Sequence, residues 1–60
     1  MKFIQLTDED KNKRLVNIAE IQTITEQNHC VEIWFRSGGV IYVIESFQEV
    51  RNRLSIALAS

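Results

Sequence analysis

Val40-Ile41-Tyr42-Val43-Ile44 is an unbroken apolar run between the turn-forming Ser37-Gly38-Gly39 and the helix signal Ser46-Phe47-Gln48-Glu49. Successive side chains of a strand point to opposite faces. A strand that is apolar at every position therefore needs cover on both sides. With 60 residues in all, the chain can lay one short helix on one face. The other face is left bare or is covered by a second copy. This stretch decides the fold class, a sheet backed by one helix, and it also raises the question of assembly.

Upstream of the run the pattern is that of short strands. Phe3-Ile4-Gln5-Leu6-Thr7 reads as strand one, Asp8 to Lys13 as a polar exposed loop, and Arg14 to Asn17 as strand two. Asn17-Ile18-Ala19-Glu20 has capping-box spacing and predicts a short turn or helical kink. Ile21 to Glu26, rich in Ile and Thr, reads as strand three. Gln27-Asn28-His29 turns the chain into strand four, Cys30 to Arg36, and Val40 to Glu45 is strand five. Ser46 and Glu49 then cap a helix. Its apolar stripe is Phe47, Val50, Leu54, Ala57 and Leu58, with Arg51 and Arg53 flanking it and Ile56 on the opposite side. The expectation is α+β: a small twisted antiparallel sheet of four or five strands followed by one C-terminal helix, as a single domain over residues 1–60.

Two registers suit the last hairpin. A three-residue turn pairs Phe35 with Ile41 and Trp34 with Tyr42; a two-residue Gly38-Gly39 turn pairs Trp34 with Val43. In the first, Val31, Ile33, Phe35, Ile41 and Val43 share one face, and Cys30, Trp34, Val40, Tyr42 and Ile44 the other. Both faces are apolar in either register.

Composition narrows the class. Seven basic and eight acidic residues give a formal charge of −1, which disfavours bulk electrostatic binding to nucleic acid. The lone Cys30 forms no internal disulfide and suits a reducing cytoplasm, the expected location. The first residues lack the apolar core of a signal peptide, and no run approaches the roughly 18 residues of a membrane span, so membrane insertion is not expected. A core this small gains from association.

Three stretches together resemble the small FlbD-type flagellar and swarming motility proteins: Val16-Asn17-Ile18-Ala19-Glu20-Ile21-Gln22-Thr23-Ile24, Ser37-Gly38-Gly39, and Glu45-Ser46-Phe47-Gln48-Glu49-Val50. The resemblance runs from about Leu15 to Leu54. It implies a bacterial, cytoplasmic, non-enzymatic accessory role near the flagellar motor. The family's core alternation matches Ile41 and Val43, which favours the three-residue turn. This chain departs from the family at Val40 and Ile44, where lysine or another polar residue is usual. A solvated face has thus become apolar.

Candidate chemistry is sparse. Asp8-x-Asp10-x-Asn12 matches the opening of a calcium loop, but Lys13 stands where glycine is needed and Ala19 where glutamate is needed. His29 and Cys30 are adjacent, yet a metal site needs three or four ligands and a thiolate catalyst needs a base and an orienting group. No catalytic residue, cofactor or metal is expected. Trp34, Val40, Tyr42 and Ile44, with Ile56, are the candidate interface residues of a homodimer or larger oligomer that presents a surface to another protein. The alternative is a small dimeric RNA-binding regulator. Lys11, Lys13 and Arg14, then Arg36, Arg51 and Arg53, would meet phosphates while Trp34 and Tyr42 stack on bases. In length and element order the chain is similar to the carbon-storage-regulator type of RNA-binding dimer, with no basic recognition motif of that family in evidence.

Overall fold

The computed structural model describes residues 1–60 and shows an α+β fold. The elements are β1 (Phe3–Thr7), β2 (Lys13–Asn17), a single 3-10 turn (Ile18–Glu20), β3 (Ile21–Glu26), β4 (Val31–Phe35), β5 (Val40–Val43) and the helix α1 (Phe47–Ala59). The expected single sheet is divided. β1 and β2 form a two-stranded ribbon and β3-β4-β5 a three-stranded antiparallel sheet. One bridge between Asp8 and Val43 joins them.

The last hairpin takes neither expected register. Val31 pairs with Val43, Ile33 with Ile41 and Trp34 with Val40. The loop does have three residues, but they are Arg36, Ser37 and Gly38. Gly38 donates its N–H to the Phe35 carbonyl, and the Phe35 N–H reaches the Gly39 carbonyl, both at 2.9 Å. This turn needs a left-handed residue at its third position, and Gly38 supplies it with φ 98°. Moving the turn back by one residue shifts the pairing by two, so each side chain keeps the face assigned to it in the three-residue register.

The first hairpin repeats the geometry with a different residue. Lys11 donates to the Asp8 carbonyl and Asp8 to the Asn12 carbonyl, each at 3.0 Å. Lys11 stands at the left-handed position with φ 67°, the one non-glycine residue of positive φ in the chain. The Asp8 carboxylate offsets that strain by accepting from the backbone N–H groups of Asp10 and Asn12 at 2.9 Å. The stretch expected as a solvated loop is therefore a tight turn around a buried carboxylate. β2 starts at Lys13, one residue earlier than expected.

Ile4, Leu6, Val16, Val31, Ile33, Val43 and Val50 form the core. Ile4 and Leu6 alternate inward along β1, and Val16 lies opposite Ile4. Val50 brings the helix onto this cluster, with Phe47, Leu54 and Ala57 half-buried beside it. Leu58, expected on the buried stripe, is 60% exposed. Ser46 accepts the Glu49 N–H at 3.1 Å as N-cap, but the Glu49 carboxylate turns to Arg53 rather than closing the box. Asn17 likewise caps the 3-10 turn through the Ala19 N–H at 3.1 Å. The helix end is held by Lys2, whose ammonium donates to the carbonyls of Leu58 and Ser60 at 3.3 and 2.6 Å.

The two equivalent turns allow an opposed test. Gly38→Ala forces a side chain into the left-handed region and is expected to cost about 1–2 kcal/mol. Gly39→Ala, at a position without positive φ, should be neutral or slightly stabilising. Lys11→Gly should stabilise by about 0.5–1 kcal/mol as relief of strain exceeds the added entropy of glycine. Urea unfolding of the three variants checks all of this; equal effects at Gly38 and Gly39 would refute the turn assignment.

Candidate functional site

The outer face of β3-β4-β5 is the only broad sheet surface with adjacent aromatic groups, and strand parity builds it. Directly paired residues share a face. Ile33, Val43 and Val31 point to the core, so Trp34 and Glu32 of β4 point outward with Val40 and Tyr42 of β5 and Thr23 and Thr25 of β3. Thr23, Trp34 and Val40 make one row across the sheet; Thr25, Glu32 and Tyr42 make the next. A bulge between Ile21 and Thr23 brings β3 into this register. Trp34, Tyr42 and Ile44 are 38%, 39% and 55% exposed, because the chain's single helix lies on the core side.

Glu32 is the charged group within this apolar surface. Its Oε1 accepts the indole N–H of Trp34 at 3.3 Å. Further carboxylates stand at the rim. Beside Val40 and Tyr42 a groove is lined by Asp8, Glu9 and Asp10 against the single cation Arg14. Arg14 is already held by Asp8 through Nε at 2.9 Å. At the opposite end Ile44 lies near Glu26, Cys30 and Glu45. Burial pushes the Cys30 thiol pKa up, and the negative charges of Glu9 and Glu32 push it further. The thiol thus reports an anionic environment and stays protonated, a small apolar neighbour of the face.

The remaining expected site residues are scattered. Ile56, 71% exposed, lies away from Trp34 and lines a groove with Phe3, Gln5 and Arg53. Phe3 and Leu15 lie on the outer side of the β1-β2 ribbon, where Leu15 is paired with Gln5, so Ile56 belongs to a second apolar patch. The basic residues do not gather into one surface. Arg14 is bound to Asp8, Arg36 donates to the Ala19 carbonyl at 3.0 Å, and Arg53 is held by Glu45, Glu49 and the Gln5 carbonyl. Lys11, Lys13 and Arg51 are exposed on the first hairpin and the helix. The Asp8 carboxylate, first group of the incomplete calcium-loop pattern and expected in a solvated loop, is occupied by two backbone N–H groups and Arg14. No group of three His, Cys, Asp or Glu side chains converges as a metal site would require.

Sequence reading missed Glu32 and Glu9. Strand parity alone carries a signal for Glu32, since it stands two residues before Trp34; nothing local marks Glu9, which the first hairpin carries to the edge of β5. Comparison with protein-family models, with curated proteins and with solved structures finds no match to this chain. No helix is long and apolar enough to cross a membrane.

Two carboxyls with lowered pKa, the buried Asp8 and the half-buried Glu45, make the fold sensitive to acid. Asp8 is held below its ordinary 3.8, chiefly by the hydrogen bond from the Asn12 backbone, against the opposing effect of burial, with Arg14 and the Asp10 N–H adding to the lowering. Burial pushes Glu45 upward, but hydrogen bonds from Thr7 and the charge of Arg53 outweigh it and leave Glu45 below its ordinary 4.5. As pH falls, the unfolded chain takes up these protons first. The stability they contribute is thus complete above about pH 5 and drains away as pH drops through the carboxylate range. Urea midpoints should hold steady down to that point and then decline. Asp8→Asn and Glu45→Gln should each lower the neutral-pH midpoint and flatten the decline; an unchanged acid limb in both would contradict the assignment.

Proposed function

We propose that this chain is a small, non-enzymatic protein-interaction module that self-associates and presents the outer face of its three-stranded sheet to another protein. The observation that carries this reading is the adjacency of Trp34, Tyr42, Val40 and Ile44 on a face their own helix does not cover. Exposed aromatics grouped among aliphatic side chains are the usual anchors of protein interfaces. An apolar patch of this kind is uncommon on a surface with no partner.

The two apolar patches suit different occupants. Across the two-fold axis of a dimer, residues near the axis meet their own copies. Self-contact through the sheet face would bring Glu32 against Glu32, whereas Phe3, Leu15 and Ile56 are exposed apolar side chains on the ribbon side, and the one charged group lining the groove of Phe3 and Ile56, Arg53, is already paired with Glu45 and Glu49. Self-association is therefore assigned to the second patch and partner binding to the first. Resemblance to the FlbD-type proteins adds a motility-linked, cytoplasmic setting to this reading.

Light scattering across a dilution series tests the division. The expected mass is two chains or more, falling to the 7.0 kDa monomer in Leu15→Glu and Ile56→Glu but not in Trp34→Glu. A monomer at every concentration would remove self-association. A monomer produced by Trp34→Glu alone would move the self-interface to the sheet face.

A further inference from the structure

The sheet face joins aromatic area to negative charge that nothing in the chain neutralises. The ion pairs of the fold are Arg14 with Asp8, and Arg53 with Glu45 and Glu49. Glu32 has only the indole N–H of Trp34 as donor, and Glu9 has no ionic partner. Any body that covers Trp34 and Tyr42 also takes Glu32 out of water. A carboxylate desolvated without a counter-charge opposes binding strongly. A second copy would bring another carboxylate, and a nucleic acid would bring phosphates, so both are disfavoured at this face. The occupant that fits is apolar and carries a cation.

The position of Glu32 narrows the cation. It stands directly opposite Tyr42 and two residues from Trp34 on the same strand. A group reaching its carboxylate passes between two aromatic side chains. A guanidinium can bond a carboxylate with two parallel N–H groups while stacking on an aromatic face; an ammonium is more strongly hydrated and lacks the planar fork. We propose that this face binds an arginine-bearing amphipathic segment of another protein, with the guanidinium on Glu32 between Trp34 and Tyr42 and apolar neighbours over Val40 and Ile44. The inference rests on the reading of this face as the partner surface and specifies the chemistry of that partner.

Trp34 is the only tryptophan, so its emission reports occupancy of the face directly. The probe is a synthetic peptide with one arginine flanked by leucines, set against a twin in which neutral citrulline replaces the arginine. The arginine peptide should change Trp34 emission saturably and bind more weakly as salt rises. Binding should drop roughly tenfold for the citrulline twin and for Glu32→Gln, the scale of one charge-assisted hydrogen bond. Glu32→Gln keeps the side-chain shape at a half-exposed position, so the fold is retained. Equal binding of both peptides with no effect of Glu32→Gln would overturn the arginine assignment and leave the face a purely apolar partner surface. Trp34 emission that shifts on dilution in step with loss of oligomer would assign the face to a second copy. A saturable response to polyuridylic acid, but not to the peptide, would assign it to RNA. Silence towards every probe, with an oligomer indifferent to Trp34→Glu, would overturn both this inference and the reading of the face beneath it.

Discussion

The fold depends on the carboxylate of Glu45, the point where both sheets and the helix meet. Residues 4, 6 and 8 bond across the β1-β2 ribbon, which leaves the backbone groups of Phe3, Gln5 and Thr7 directed to the other edge. Two donors and one acceptor from the rest of the chain bond part of that edge. Thr7 donates its N–H to Glu45 Oε1 at 2.9 Å, the Thr7 carbonyl accepts from Ile44 at 2.9 Å, and Arg53 reaches the Gln5 carbonyl at 2.7 Å. Arg53 also bonds Glu45 Oε2 at 3.2 Å. Side chains thus take the place of a sheet ladder that ends after one bridge. Half-buried polar backbone left without these partners would cost as much as the hydrogen bonds contribute.

This junction explains why so much of the cationic charge is unavailable to a ligand. A chain with seven buried apolar residues has little hydrophobic stabilisation to hold two small sheets together. Arg14, Arg36, Arg53 and Lys2 are each bound to internal acceptors at hairpin, kink, junction and helix end. Of the unpaired carboxylates, Glu9, Asp10 and Glu32 stand on or beside the outward sheet face, because the Asp8-to-Asn12 turn projects next to β5 and Glu32 lies in the middle strand. The negative character of the face is a consequence of the cations being used to build the fold.

Much of this was legible in linear order. Parity in Val31–Phe35 and Val40–Val43 determined which side chains share a face, and it withstood a register shifted by two residues because a shift of two leaves side-chain alternation unchanged. Ser46 and Asn17 also declared themselves locally, since a cap acts within four positions of itself; Ser37-Gly38-Gly39 declared a turn but not its register, which pairing moves back by one residue. The Asp8 turn did not, because its strain sits on Lys11, a residue with no preference for that conformation, and its compensation comes from a buried carboxylate that reads as loop charge.

The sequence by itself determined the elements, the helix cap and the existence of two apolar sheet faces, all of which follow from short-range periodicity and side-chain chemistry. Only the tertiary structure decided that the sheet divides between β2-β1 and β3-β4-β5, that Ile56 belongs with Phe3 rather than Trp34, and that Glu9 and Glu32 make the outward face anionic. The division of the sheet and the place of Ile56 depend on contacts between residues far apart in the chain, such as Asp8 with Val43, Thr7 with Glu45 and Gln5 with Arg53. Such contacts form through docking of whole elements, and no local pattern encodes them; of the face's carboxylates, only Glu32 follows from strand parity.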